Sequence, residues 1–453
     1  MNRAWPVCVC VTVALLLSLG ADAQVQTLVL EGGTLIDGRG GNPVNDAVVV
    51  IDGSRIKAVG VRGRVSYPQN ARVISTQGRT ILPGLIDPHI HLRDYMPPMF
   101  LHYGVTTVGD TNNYTDWIIG QRAALKSGQI KGPRLFISGT AAAGPEAEET
   151  GISHSLKTTD EARLYARGLI AKGVDMIKVD LNLTLEQLRA ITDEARKAGI
   201  PVVGHSQNIR KAVEIGGLRY MEHSDTLGRA ILEEMGPDAV KAGGANPERM
   251  MDTNLFGPLI QLMVREGVFI NPTMLGRYRS TTGRGQEWAG AAKEAIGDPG
   301  LAFVPEDVRA SWTQVPGRGA DPEGYRRTAE FVRRYAEAGG KVLAGTDAGF
   351  FPGQSLHYEM QMLTDAGVPP MKALQSATLW AAESIGQGKT LGTVEAGKLA
   401  DFTIIEGNPL ADIAATRNVR MVIKDGQVLD TAYNPRFVNP TPRPNEPQAR
   451  GGR

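Results

Sequence analysis

Between residues 83 and 385 the chain repeats one unit: a helix-like run, a glycine, a few apolar residues, then a polar residue. It recurs as "YGVTTVGD", "KGVDMIKVD", "AGIPVVGHS", "GGLRYMEHS", "EGVFINPTM" and "AGGKVLAGTD". Glycine at such a place fits the residue just beyond a helix, where φ turns positive before the next strand begins. Thr158 with Glu161 and Thr184 with Gln187 are spaced as capping boxes ahead of "ARLYARGLIAKG" and "LRAITDEARKAG". Buried strands alternating with helices imply parallel βα units, and about eight of them close into a barrel of roughly 250 residues. An open doubly wound sheet is the alternative, but no Gly-rich phosphate fingerprint follows the first strand. The expected fold is therefore α/β, a TIM (β/α)8 barrel over residues 83–385.

The flanks have a different texture. "TLVLEGGTLIDG", "DAVVVIDGSRIKAVG" and "ARVISTQGRTIL" are β-branched runs punctuated by Gly and Asp, and "GTVEAGKLADFTIIEG" with "VRMVIKDGQVLD" repeats the pattern near the other end. They read as antiparallel strands of one small β-sandwich composed of residues 24–82 and 386–433. Two stretches, 228–256 and 277–320, are too long for simple connections and are expected to rise from the C-terminal face of the barrel, where they can wall a site. The Pro- and Arg-rich end, 434–453, is expected to be a disordered tail.

Residues 1–23 have a short basic start, an apolar core ending near Gly20 and the small-residue pattern Ala21-Asp22-Ala23. That is the form of an export signal cut before Gln24, which places the mature protein in the periplasm or outside the cell. A membrane anchor is the alternative, but the run is short, contains Pro6 and lacks a basic stop-transfer flank. Both cysteines, Cys8 and Cys10, fall in this segment, so the mature chain has no disulfide and no thiolate ligand. Forty-nine Lys and Arg against 48 Asp and Glu leave no electrostatic case for a nucleic-acid partner.

The chemistry rests on where the histidines fall. His89 and His91 end the first barrel strand two residues apart, so both rings can face one point. Of the other five histidines, His205 in "PVVGHS" and His223 in "RYMEHS" end consecutive apolar strands, and Asp347 ends the strand of "KVLAGTDAG". Four imidazoles and a carboxylate converging on the face where barrel enzymes work suit a divalent ion, zinc above all. Lys178, between Ile and Val in "GVDMIKVD", must pair, snorkel or lose its charge. The plain account is an ion pair with Asp175, Asp180 or Glu222; the sharper one is a neutral amine that captures carbon dioxide as a carbamate bridging two metal ions.

Together "LPGLIDPHIHL", "MIKV", "VVGHS", "MEHS", "LAGTDAG" and "LGTVEAGKLADFTIIEGNPL" resemble the amidohydrolase superfamily, in particular its prolidase-like and imidazolonepropionase-like branch, from about Thr27 to Asp430. The resemblance implies two divalent ions. His89 and His91 would hold the more buried one, His205 and His223 the more exposed one, with N6-carboxylated Lys178 bridging both and Asp347 on the buried ion. Two departures stand out: "TTVGDTNN" has Gly109 where many relatives have arginine, and "GISHS" replaces a G-G-H-G stretch while keeping His154.

The mechanism that follows is hydrolysis of an amide bond by a metal-bridging hydroxide, with Asp347 as proton carrier and His154 as donor to the developing oxyanion or to the substrate. Arg277, Tyr278 and Arg279 follow the seventh strand, and one of them could clamp a substrate carboxylate. Trp288 and Trp312 are candidates for a pocket wall or for buried core, and His357 and Glu359, at a helix start, read either as support behind the site or as structural. The favoured partner is a small-molecule amide, a dipeptide or N-acyl amino acid; there is no membrane partner once the signal is removed, and a homo-oligomer is compatible with the sequence. Two alternatives remain: a mononuclear hydrolase or deaminase of cyclic amides or lactones, and an exported binding protein whose metal is structural.

Overall fold

The computed structural model describes residues 26–180, 182–206, 208–314, 320–347 and 350–444; the expected export signal over 1–23 lies outside them. Both ends of the chain enter one eight-stranded sheet, which forms the small β domain. Leu28–Leu35, Val44–Asp52, Arg55–Val61, Arg72–Ser75 and Arg79–Pro83 come from the N-terminal side; Phe402–Glu406, Val419–Lys424 and Gln427–Leu429 come from the C-terminal side. The halves join where Phe402–Glu406 runs antiparallel to Arg79–Pro83, with Ile404 opposite Ile81. The sheet is mixed rather than wholly antiparallel, because Leu28–Leu35 pairs in parallel with Arg72–Ser75 and Arg79–Pro83. One face buries Leu30, Val49, Ile81, Phe402 and Ile404 in a common cluster, the apolar alternation that holds the register.

The middle is the TIM barrel. Its strands in chain order are Leu85–Ile90, Val105–Asp110, Arg134–Ile137, Ile177–Val179, Val202–Gly204, Tyr220–Glu222, Phe269–Asn271 and Lys341–Val342, and the pairings between neighbours are parallel. Asp175 N donates to Ile137 O at 2.8 Å between the third and fourth strands, and Asp347 N donates to His89 O at 2.8 Å where the last strand meets the first. Both capping boxes form, ahead of Thr159–Ala171 and Leu185–Ala198, and the second helix ends on Gly199 at φ 72°. Short strands followed by helices leave each strand's polar terminal residue at one mouth of the ring.

The long connections are helical. Ser224–Met235 and Pro237–Gly243 occupy the first; Arg284–Ala295 and Glu306–Trp312 lie in the second. Trp288 is fully buried and stacks on Tyr358 at 4.7 Å, whereas Trp312 packs on Phe351 and reaches a cavity beside His91. The chain end corrects an expectation. Residues 434–444, expected in a disordered tail, lie against the barrel: Asn439 is buried, its amide exchanges hydrogen bonds with Gln121 and donates to Asp94 O, and Arg443 donates to Asn113. Composition suggested disorder, but an asparagine that satisfies a buried glutamine outweighs it.

Candidate metal centre

The strand carrying His89 and His91 is bent where it matters. Asp87 pairs with Val108 and Ile90 with Asp110, so the register slips by one residue across Pro88 and His89, the signature of a bulge. Gly109 sits against that bulge, and a Cβ there would lie 2.6 Å from Pro88 O. No side chain fits, so the absent arginine is not a lost contact; the glycine allows the close approach that aims the histidines. Asp87 then ties strand to loop: its Oδ1 accepts from His89 N at 3.3 Å and Thr346 N at 3.1 Å, and its Oδ2 from Thr346 Oγ1 at 2.7 Å.

Four imidazoles gather at the mouth. Ring centroids are 5.4 Å apart for His89 and His91, 5.1 Å for His89 and His223, and 4.8 Å for His205 and His223. Each ring has its Nδ1 held from outside: His91 by Asn112 O at 3.1 Å, His205 by Asp180 Oδ1 at 3.0 Å, His223 by Thr273 Oγ1 at 2.8 Å and His89 by the Asn271 carboxamide at 2.8 Å. For His91 and His205, facing a carbonyl and a carboxylate, the Nδ1–H is thereby committed outward; at His89 the Asn271 amide nitrogen faces Nδ1, and turning that amide so that its otherwise unbonded Oδ1 accepts gives His89 the same tautomer. The Nε2 lone pair is left facing in. Nε2 of His89 and of His205 are buried without a hydrogen-bond partner, and Nε2 of His91 lies 3.0 Å from Asp347 Oδ1.

Electrostatics favour neutral, ligand-ready rings at His89, His205 and His223, whereas at His91 burial is outweighed by the hydrogen bond and charge of Asp347 and the charge of Asp110, which raise it. Burial drives His89 well below its usual value, only partly offset by Asp347, and lowers His223 to about 3, with His205 adding to the effect. Burial alone would raise the Asp347 carboxyl, but the hydrogen bond from His91 and the charges of His91, His89 and His223 outweigh it and hold the group well below the carboxylate range. His223, Thr273 and Asp347 adopt φ of 65°, 46° and 61°, the left-handed region that residues other than glycine rarely occupy. Such strain, maintained at three strand ends around one cavity, is a mark of a functional site.

Lys178 lies inside the ring, buried, and its amine touches the Glu222 carboxylate. Of its three candidate partners, Asp175 is instead bonded to Arg122 at 2.7 Å and Asp180 to His205. Burial lowers the Lys178 amine to about 8, with Asp180, Asp347 and Asp110 pulling it back up. Glu222, considered from sequence only as a charge partner, has an unbonded Oε1 3.7 Å from His89 Nδ1. Among the described residues two sets place one donor atom each within 4.8 Å of one another: His89, His91, Asp347 and His89, Glu222, His223. Its position just before His223 was the available signal. Inward lone pairs with no protein partner, beside carboxylates, fit a divalent cation.

The other sequence candidates are sorted by the fold. His154 does not join the cluster: strand Ser153–Ser155 pairs at the edge of its sheet with Ala141–Ala143, and the ring faces Glu149 Oε1 at 2.8 Å and stacks on Tyr165. It lines a separate cavity with Glu149 and Tyr165, so the structure does not bring it together with the four histidines. Tyr278 is fully buried, with its hydroxyl bonded to Glu248 and Thr328, so it does not reach substrate. Arg277 and Arg279 do line a cavity of about 480 Å³ with His205, His223, Thr273 and Asp347, but Arg277 is paired with the buried Glu248. Glu359 accepts from Met274 N and Leu275 N at 2.8 and 2.7 Å and so fixes the short helix forming that wall.

The sequence model of the amidohydrolase family matches residues 80–429. Over 387 residues the chain is 26% identical to the imidazolonepropionase of Pseudomonas entomophila (strain L48), covering 82% of this chain and 89% of that one. It is 25% identical over 421 residues to the imidazolonepropionase of Symbiobacterium thermophilum, covering 84% and 91%. Among solved structures it resembles a Xaa-Pro dipeptidase with methionine bound in the active site, with TM-score 0.64 and 25% identity over 89% of this chain and 100% of that one. Phenylurea hydrolase B shares the fold, with TM-score 0.67 and 21% identity over 92% and 100%. The chain belongs to the amidohydrolase family and is a hydrolase acting on carbon–nitrogen bonds.

Proposed function

We propose that this protein uses two divalent ions, zinc by donor chemistry, to hydrolyse the amide bond of a dipeptide or N-acyl amino acid. The observation that carries the reading is the common posture of His89, His91, His205 and His223, each with Nδ1 engaged outward. These four, with Asp347 and an N6-carboxylated Lys178, would hold the ions. When bound, such ions polarise the scissile carbonyl and make water a competent nucleophile at neutral pH. Asp347, with 39% of its side chain open, would accept the proton of the attacking water and return it to the departing nitrogen. Arg279 and the wall of the neighbouring cavity would orient the substrate. The likeness to a Xaa-Pro dipeptidase supports a peptide-like substrate.

The contact between Lys178 and Glu222 favours a second reading, with one ion on His89, His91 and Asp347 and the lysine kept as an ammonium. Metal analysis of the purified protein, together with carbon-13 NMR in labelled bicarbonate, separates the two. Two ions per chain and a carbamate signal are expected; one ion and no signal would leave the second reading standing. Hydrolysis of dipeptides and N-acyl amino acids by the zinc-loaded protein is the functional test, and turnover of cyclic amides alone would reject the substrate class. Among the described residues no helix is long and apolar enough to cross a membrane. The export reading adds that the mature chain begins at Gln24, which N-terminal sequencing of protein from its host checks.

A further inference from the structure

Three residues after the seventh strand invited a role in binding, and their surroundings differ in kind. Arg277 places Nε 2.5 Å from Glu248 Oε1 and Nη2 2.7 Å from Glu248 Oε2, so its charge is already answered. Arg279, two residues on, is only 8% exposed and has no carboxylate partner among the described residues. Its Nε is buried without a hydrogen-bond acceptor, and the contact it makes is with the face of Phe350, 5.3 Å from its centroid. Burial lowers its pKa from the usual guanidinium value, yet an arginine does not give up its proton under working conditions. A desolvated cation left without an anion is costly, and a ring face offsets only part of that cost.

That cation borders the same cavity as His205, His223 and Asp347, where the reading above places the reacting amide. We propose that Arg279 is the specificity-determining residue of this enzyme, anchoring a free carboxylate of the substrate through its planar guanidinium fork. The missing partner is then part of the substrate, not of the protein. A fork that meets a carboxylate with two parallel hydrogen bonds in a site of low polarity discriminates strongly against a neutral carboxamide. The cavity, about 480 Å³, has room for a molecule of dipeptide size. The inference rests on the proposed function for its choice of cavity, but its test need not involve turnover.

Calorimetric titration of the full-length, zinc-loaded protein with L-proline, L-leucine and L-phenylalanine, each against its amino alcohol (L-prolinol, L-leucinol, L-phenylalaninol), which has no amide bond to cleave, gives an acid-to-neutral preference free of hydrolysis. The wild type should favour at least one acid by about tenfold or more. Arg279→Met should reduce that ratio at least about tenfold, and Arg279→Lys, which keeps the charge without the fork, should fall between. Arg279→Lys also guards against a folding failure of the first variant. The same ratio in all three proteins, or no measurable binding of any acid to the wild type, overturns the proposal and leaves Arg279 as a packing partner of Phe350. Absence of amide hydrolysis with the acid preference intact would instead reject the proposed reaction while keeping the anchor.

Discussion

Oδ1 of Asp180 lies 3.0 Å from Nδ1 of His205, on the side of the ring away from the cluster, so a carboxylate of the fourth strand's end fixes the tautomer of a histidine on the fifth. Partners of this kind raise the basicity of a ligand and typically account for 10- to 100-fold in metal affinity. Asp180→Asn should therefore bind zinc about 10- to 100-fold more weakly, as read by competition with a chelator of known affinity. Unchanged affinity would remove Asp180 from the site's support.

Asp347→Asn preserves size and an oxygen ligand but cannot carry a proton. It should retain metal while kcat falls by about 10²- to 10⁴-fold. Wild-type rates would eliminate Asp347 as proton carrier. Lys178→Ala should lose metal and activity, with part of the activity restored by short carboxylic acids; full metal occupancy without such rescue would count against the carbamate.

His357 offers a pH test remote from the cluster. Its ring sits between Thr416 Oγ1 at 3.0 Å and Tyr103 O at 2.9 Å, and burial lowers it to about 4, with the bond to Tyr103 O pulling partly back. The unfolded imidazole titrates near 6.5, so below that pH the unfolded chain takes up a proton that the native state refuses. Stability should fall as pH drops from about 6.5 toward about 4, by on the order of 3 kcal/mol from this group. Denaturant midpoints of the wild type and His357→Gln should converge over that window; a constant gap would contradict it.

Gly204 ends the strand beside Lys178 at φ 130°, and a Cβ there would lie 2.0 Å from Val179 O and 3.0 Å from Lys178 Cδ. Gly204→Ala must push the fourth and fifth strands apart. A loss of about 2–4 kcal/mol is expected, together with weaker metal retention, from thermal unfolding and metal analysis. A midpoint within a degree of wild type would show that the strands yield freely.

Asn439 tests whether the chain end is held to the barrel. Its side chain lies 2.8 Å from Gln121 Oε1 and 3.0 Å from Asp94 O. Asn439→Ala leaves a buried glutamine incompletely bonded and should cost about 1–3 kcal/mol. Faster proteolysis C-terminal to Tyr433 in the variant would accompany it; no change in either would detach the segment from the fold.

What the sequence determined by itself is the periodic part. A glycine at each helix end and a polar residue at each strand end place His89, His91, His205, His223 and Asp347 at one mouth, because parallel βα units put every strand terminus on the same side. The capping boxes at Thr158 and Thr184 were equally legible, being local hydrogen bonds set by spacing. What only the tertiary structure decided depends on packing between distant segments. Glu248 neutralises Arg277, whereas Arg279 meets no carboxylate among the described residues; an edge strand sets His154 against Glu149; Pro88 crowds Gly109; and Gln121 captures Asn439. A period along the chain fixes direction and face, whereas the partner that completes a charge, or fails to, comes from a segment whose approach no local pattern encodes.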